Sequence, residues 1–579
     1  MEKFYSIERN VQMLIYLMKQ HGVRKVVASP GTTNICFVAS VQFDPYFEVY
    51  SAADERSAAY IACGLAAESG EPVALSCTGA TASRNYVPGL TEAFYRKLPV
   101  LAVTATQHTG RIGQNIPQVI DRRVQFNDLV RYSLQLPTIH DSDDEWAYGV
   151  KINEALLALQ ECGGGPVHIN LTTKYSKDFS VRELKPVKVI KRITTADKFP
   201  VLEGKRIGIF VGAHRAWSKD LTKAVDAFCA AYDAAVFCDH TSNYLGAYRV
   251  DFSLVFQQAL YSSPLATVDL MIDMGDISGA YAQPKAKEVW RVNPDGAVRD
   301  TYQKLTKVFA MTEQEFFQHY AAMKEAVADG HYAADCRGEY QRILDKMPEL
   351  PFSNAWLAQQ TCARLPENSV LHLGILNTLR TWNFYQAPKT VRGYANTGGF
   401  GIDGCVSTLL GASLADRQSL YFGVFGDLAF FYDMNSLGNR HVGANLRIIL
   451  VNNGRGTEFR NYNHPAARFG EDADPFMAAA GHYGRQSDML VRHYAEDLGF
   501  EYLCAHTKEE YNRQLDRFLS SELTDRPMLL EVFTDSKDES DALYAIYHIE
   551  HSVKGEAKGK VRKVLGDKGV AAVKKLLGR

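Results

Sequence analysis

Short apolar runs that end in glycine-bearing turns, each followed by a helix-like stretch, recur through this 579-residue chain. Val26-Val27-Ala28 runs into Ser29-Pro30-Gly31, and Val73–Ser76 runs into Thr78-Gly79-Ala80. Arg206–Gly212 opens a further stretch of the same kind, and Tyr421–Phe425 runs into Gly426-Asp427. Runs this short and apolar read as strands buried on both faces, and their alternation with helices predicts parallel sheets wrapped by helices. At ~150 residues per domain the length admits about three domains. The expected fold class is therefore α/β, with three consecutive doubly wound parallel-sheet domains over residues 1–186, 199–340 and 350–545. Val187–Lys198 and Pro348–Phe352 read as linkers, the first with no clear element.

The last stretch, 551–579, changes character. It carries nine Lys or Arg against Glu556 and Asp567, with Val561, Val564, Leu565, Val570, Val573, Leu576 and Leu577 at roughly helical spacing. A basic amphipathic helical tail is expected, solvated and partly docked; a membrane-surface helix would want an aromatic anchor, and none is present. Formal net charge is −2, so no global case exists for nucleic acid. The ten cysteines include no C-x-x-C pair, which argues against a zinc site or a disulfide framework. Glu2, Glu8 and Arg9 interrupt the first residues, and no small-residue cleavage site follows, so no signal peptide is expected. No apolar run reaches the ~18–20 residues that span a bilayer. A cytoplasmic location is the expectation.

Two constellations carry chemistry. The first is Gly426-Asp427-Leu428, followed after one helix and one strand by Asn452-Asn453-Gly454. Two neighbouring parallel strands would end here side by side, where open α/β sheets bind ligands. Asp427 and Asn453 then offer a carboxylate and an amide oxygen to a hard cation such as Mg²⁺, which is usually shared with phosphates. A turn aspartate and a strand-end asparagine without an ion remain the alternative. The second is Asp54-Glu55-Arg56-Ser57-Ala58, where Glu55 opens an alanine-rich helix. A carboxylate at a tightly packed helix start suits proton exchange; helix capping by Asp54 and Glu55 is the alternative.

Together these residues resemble the thiamine diphosphate enzymes of the acetolactate synthase and 2-oxo acid decarboxylase type, over roughly residues 7–540. Ser29-Pro30-Gly31, Asp54–Ala58, Cys77-Thr78-Gly79-Ala80-Thr81-Ala82, Gly401-Ile402-Asp403-Gly404 and Leu428 after Gly-Asp are most similar to the MenD-type synthase branch of menaquinone synthesis. The resemblance implies a pyrimidine-binding first domain, a central domain and a diphosphate-binding third domain. It implies thiamine diphosphate and Mg²⁺ as cofactors, with Glu55 bonded to N1′ of the pyrimidine and Ile402 shaping the bent cofactor. Gly401, Gly426, Leu428 and Thr457 would line the cofactor. Asp427, Asn453 and the backbone carbonyl of Arg455 would ligate the metal. Gln118 fits the loop glutamine of carboligating members. The resemblance also implies a homodimer or homotetramer, with active sites shared between subunits.

The chain departs from that branch where substrate is read. Thr32-Thr33-Asn34 stands in place of Ser-Arg-Ser, and Asn396-Thr397-Gly398 in place of Asn-Arg-Gly, while Arg380 is kept. Losing arginines from a bidentate carboxylate site weakens binding heavily, so the branch's dicarboxylate chemistry is not expected here. The loop Gly113–Gln118 lacks the His-His pair of simple decarboxylases. Candidate substrate residues are Thr32, Asn115, Arg380, Arg460 and His464, the last two in the unusually polar segment 454–464. The expected activity is a carboligase that decarboxylates a 2-oxo acid and transfers the acyl anion to a second carbonyl acceptor. A non-ligating decarboxylase and a silent cofactor-binding scaffold are the alternatives.

Overall fold

The computed structural model describes residues 4–202, 204–325, 330–482 and 487–552. The basic tail expected over 551–579 lies outside the described residues from 553 onward. The chain forms two compact units, one of Met1–Lys198 with Gly296–Ala310, the other of Phe199–Asp295 with Met311–Arg579.

In the first unit the strands are β1 (Lys25–Ala28), β2 (Glu48–Ser51), β3 (Val73–Cys77), β4 (Val100–Thr106), β5 (Tyr132–Leu136) and β6 (Val167–Thr172). They form one parallel sheet in the order β2-β1-β3-β4-β6-β5. β3, β4 and β6 are buried along their whole lengths, as a parallel sheet covered on both faces requires. The helix Arg9–Gln20 lays Val11, Leu14, Ile15 and Met18 on one face of the sheet, at the i, i+3, i+4, i+7 spacing of an apolar stripe. On the other face the helix Glu55–Ser69 buries Ala58, Ala59, Ala62 and Ala66. Small residues let it approach the helix Val87–Tyr95 closely: a Cβ on Gly89 would stand 2.4 Å from that of Ala59. The segment that reads as a structureless linker contains β7 (Lys191–Ile193). Only one of its three residues is buried, so no hydrophobic run marks it.

In the second unit β8 (Ile207–Val211), β9 (Ala235–Cys238), β10 (Arg249–Asp251), β11 (Thr267–Met274) and β12 (Lys285–Val292) run parallel in the order β10-β9-β8-β11-β12. β13 (Leu305–Phe309) returns to the first unit, where it pairs in parallel with β7. β14 (Val370–Leu373), β15 (Arg392–Ala395), β16 (Tyr421–Gly426), β17 (Leu446–Asn452), β18 (Glu501–Ala505) and β19 (Met528–Phe533) make the last sheet. Its order is β15-β14-β16-β17-β19-β18, again all parallel.

The first and last sheets share one strand order, 2-1-3-4-6-5 when each is counted from its own first strand. In both, the second strand is laid on one side of the first and the third strand on the other. Each sheet therefore reverses direction at one point, and the crevice beyond the strand ends there is where such sheets bind ligands. In the first sheet that crevice lies at the ends of β1 and β3; in the last, at the ends of β14 and β16. The backbone is strained at both places. Ala80, after β3, has φ 53° and ψ −127°; Leu376, after β14, has φ 66° and ψ −124°. Residues other than glycine avoid this region, and such strain gathers at functional sites.

Candidate functional site

Gly426 at the end of β16 stands in register with Val451 of β17, so Asp427 and Asn453 emerge from one edge of the last sheet. Asp427, 4% exposed, opens a short helix, Asp427–Asp433. Its Oδ1 accepts from the Leu428 amide at 2.7 Å and its Oδ2 from the Gly454 amide at 2.6 Å. The carboxylate thus fixes the loop that carries Asn453, and Gly454 takes the left-handed φ of 75° that this turn requires. Asn453 is 6% exposed, and among the described residues its Oδ1 has no hydrogen-bonding partner. A buried acceptor left unmade costs about 1–3 kcal/mol. Beside an anchored carboxylate, that oxygen has the chemistry of a ligand to a hard cation. Among the described residues no group of three or more His, Cys, Asp or Glu could hold a metal by itself. Two side-chain oxygens suit Mg²⁺, which takes the rest of its octahedron from water and phosphate.

Two buried carboxyls lie behind this edge. Glu531 on β19 accepts from Asn452 Nδ2 at 2.7 Å and from the Tyr502 hydroxyl at 2.8 Å, and burial pushes it up to about 7. The first bond turns Asn452 toward the neighbouring strand. Glu539 Oε1 accepts from the Asn354 amide at 2.9 Å and the Thr534 hydroxyl at 2.8 Å, and burial pushes it too up to about 7.

Around the edge, Gly401 and Ile402 precede Gly404, whose φ of 87° turns the chain into the helix Cys405–Ala415. A Cβ on Gly401 would stand 2.3 Å from Asp403 Oδ1, so a larger residue there would displace that side chain. Ile402 is half-buried. A Cβ on Gly456 would lie 3.3 Å from Leu428 Cδ1, which places the loop after β17 against the start of the Asp427 helix. Thr457 is buried, its Oγ1 accepting from Asn377 Nδ2 at 2.9 Å.

The basic residues expected to read substrate are engaged within the second unit. Glu458 holds Arg380 by both oxygens, at 2.7 and 2.9 Å, and Arg380 also donates to Asn377 Oδ1 at 2.9 Å. Arg455 and Arg460 share Asp474, at 2.6 and 3.2 Å. His464 Nδ1 accepts from the Ala466 amide at 3.1 Å. Of these partners, Glu458 lies in the polar segment 454–464, while Asp474 and Asn377 stand out in no motif. Acids that lie far from an arginine in sequence give no signal.

In the first unit Glu55 is the first residue of its helix and is half-buried. The cap is Asp54, which accepts from the Arg56 amide at 2.9 Å and the Ser57 hydroxyl at 3.1 Å; Glu55 is not needed for it. Thr32 is exposed. Thr33 is the buried member of that loop, its hydroxyl 2.8 Å from that of Thr78. Asn115 and Gln118 are exposed, at φ of 55° and 64°. The Gln118 carbonyl presses on Gly79, where a Cβ would come within 2.7 Å.

Sequence reasoning missed Arg122. It is 2% exposed and donates from Nη2 to Ala105 O and Asn170 Oδ1, each at 2.9 Å. Among the described residues its Nε and Nη1 meet no partner. Burial, with Arg84 nearby, brings the guanidinium down to about 10.

Known proteins resemble this chain over most of its length. Residues 9–125 match the family model described as thiamine pyrophosphate enzyme, N-terminal TPP binding domain. A 2-succinyl-5-enolpyruvyl-6-hydroxy-3-cyclohexene-1-carboxylate synthase of Bacteroides thetaiotaomicron is 32% identical, over 94% of this chain and 99% of its own length. Proteins of the same name from Bacteroides fragilis and Phocaeicola vulgatus are 31% and 32% identical, again over 94% of this chain and 99% of theirs. The chain is a thiamine diphosphate-dependent enzyme that forms carbon–carbon bonds, and it belongs to the 2-succinyl-5-enolpyruvyl-6-hydroxy-3-cyclohexene-1-carboxylate synthase family.

Proposed function

We propose that this chain joins the acyl carbon of a 2-oxo acid to the carbonyl carbon of a second molecule, with specific residues in the following roles. For an aldehyde acceptor the balance is R–CO–CO₂⁻ + R′–CHO + H⁺ → CO₂ + R–CO–CH(OH)–R′. The bond to the carboxyl carbon breaks, its electron pair forms the new carbon–carbon bond, and the acceptor oxygen takes the proton. Bound thiamine diphosphate supplies the electron sink for this chemistry.

Asp427, Asn453 and the backbone carbonyl of Arg455 would hold Mg²⁺. Gly401, Gly426, Leu428 and Thr457 would line the cofactor, and Ile402 would pack against it. Glu55 holds and exchanges the proton at N1′ of the pyrimidine. Gln118, Thr32 and Asn115 would contact the substrate. The observation that carries the reading is the buried, unpartnered Asn453 Oδ1 beside the anchored Asp427: a cation satisfies both, and a plain turn does not need them.

A homodimer or homotetramer belongs to the same proposal. It is supported by the apolar side chains Tyr60 and Ile61, exposed on the helix that Glu55 opens. All ten cysteines are free, which favours a reducing compartment such as the cytoplasm. Among the described residues no helix is long and apolar enough to cross a membrane.

The test is to incubate the purified protein with thiamine diphosphate, Mg²⁺ and a panel of 2-oxo acids, with and without carbonyl acceptors, and to identify products by mass spectrometry. Carbon dioxide together with a hydroxyketone is the expected result. Aldehyde as the sole product from every pairing would leave decarboxylation without ligation.

A further inference from the structure

The loop after β17 is fastened in two places. Asp427 fastens its first half, through the Gly454 amide at 2.6 Å. The second half is held from another segment, the 3₁₀ stretch Pro465–Ala473 and the residues just after it. The Gly456 amide donates to Ala478 O at 2.6 Å, and Arg455 Nη1 donates to Asp474 Oδ2 at 2.6 Å. We propose that Asp474 is a positioning residue for the metal: by latching Arg455 it holds the 455–456 peptide so that the Arg455 carbonyl completes the Mg²⁺ site with Asp427 and Asn453. The proposal rests on the thiamine diphosphate and Mg²⁺ reading and names what keeps that site in shape.

Geometry is the first argument. The Arg455 carbonyl and the Gly456 amide belong to one planar trans peptide, so they point in opposite directions. With the amide bonded to Ala478 O, the carbonyl faces away from that segment. Gly454 and Gly456 flank Arg455, and glycines give a loop the freedom to turn such a peptide over. An anchor is therefore needed here, and its far side is firm. Ala473 and Ala478 are fully buried, and the Ala480 amide returns to Asp474 O at 2.8 Å. Ala479, next to the accepting carbonyl, is held at φ 48°, a left-handed value that residues other than glycine avoid.

Charge is the second argument. Asp474 Oδ1 also takes Arg460 Nη1, at 3.2 Å, and Arg460 bonds the Gly470 carbonyl as well. Among the described residues Asp474 is the single acidic partner of both arginines. The half-buried pair with Arg455 is charge-assisted, which strengthens it over a neutral bond. Held this way, the Arg455 side chain stays turned to Asp474, and one of the two positive charges on the loop is cancelled.

The test measures Mg²⁺ and Ca²⁺ binding calorimetrically, in the full chain with excess thiamine diphosphate. Mg²⁺ demands a near-ideal octahedron, whereas Ca²⁺ accepts looser geometry, so a displaced carbonyl penalises Mg²⁺ selectively. Asp474→Asn should weaken Mg²⁺ about tenfold and Ca²⁺ by less than about threefold. Arg455→Ala should do the same, although it removes a positive charge where Asp474→Asn removes a negative one. Arg455→Lys keeps an ion pair and should stay within about threefold of wild type for both ions. Opposite effects of Asp474→Asn and Arg455→Ala would reduce the contact to charge alone and overturn the proposal. So would wild-type Mg²⁺ affinity in either variant, or equal losses for the two ions, which mark a general loosening of the fold. Should Asp474→Asn fail to fold, Arg455→Ala decides, because it leaves Asp474 paired with Arg460. A wild type that binds no Mg²⁺ beside thiamine diphosphate would instead sink the metal reading itself, and this proposal with it.

Discussion

Replacing Glu539 with glutamine should make the protein more stable at neutral pH and leave it unchanged in mild acid. Glu539 is buried, and its pKa is raised from 4.5 to about 7. Folding therefore favours its protonated form. The stability this confers is fully present below about pH 4.5 and is lost as pH rises through 7. At 1.36 kcal/mol per unit, a rise from 4.5 to about 7 corresponds to about 3 kcal/mol lost between those limits. Glutamine keeps an oxygen to accept from the Asn354 amide and the Thr534 hydroxyl, but it cannot ionise. The assay is the thermal midpoint of the metal-free protein at pH 5, 6, 7 and 8. Wild type should fall steadily over that range; Glu539→Gln should match it at pH 5 and exceed it by a few °C at pH 8. Some slope should remain in the variant, since Glu531 is raised in the same way. Parallel profiles for the two proteins would refute the reasoning, for they would mean that Glu539 ionises in the fold without penalty.

Asn453→Ala should weaken Mg²⁺-dependent cofactor binding at least tenfold, yet leave the metal-free protein as stable as wild type or slightly more so, because the orphaned acceptor is gone. A Mg²⁺ titration and a thermal melt check the two halves. Gly89→Ala should cost about 1–3 kcal/mol by overpacking, since its Cβ would stand 2.4 Å from that of Ala59; chemical denaturation measures it. The same variant should lose activity ahead of stability, because the contact seats the helix that Glu55 opens.

The strand-to-turn motifs were legible because buried parallel strands are short, apolar and punctuated by glycine. The run Tyr421–Phe425 becomes β16, Tyr421–Gly426, and the strand expected before Asn453 is β17, Leu446–Asn452. The helix expected between Gly426-Asp427 and the next strand is short. It ends at Asp433, whose carboxylate is taken by the Ser407 amide and hydroxyl, and a 3₁₀ turn, Met434–Gly438, follows. The equal strand order of the first and last sheets leaves no repeat in the sequence, because topology does not require similar residues. The pairing of Arg380 with Glu458 joins positions 78 apart, and only the fold brings them together. Arg122 reads as one more surface arginine in Asp121-Arg122-Arg123; that it is buried while Arg123 is exposed is decided by the turn of the loop.

The central proposal is that Glu55 would hold and exchange the proton at N1′ of bound thiamine diphosphate, a role that the exchange rate of the cofactor's C2 proton reports. Its most direct test is deuterium exchange at C2 of the bound cofactor, followed by quenched-flow NMR in wild type and in Glu55→Gln. The account predicts that Glu55→Gln still binds thiamine diphosphate and Mg²⁺ while exchange slows by about 10²–10⁴-fold, the usual worth of a positioned acid–base group. Exchange in Glu55→Gln at the wild-type rate would contradict it.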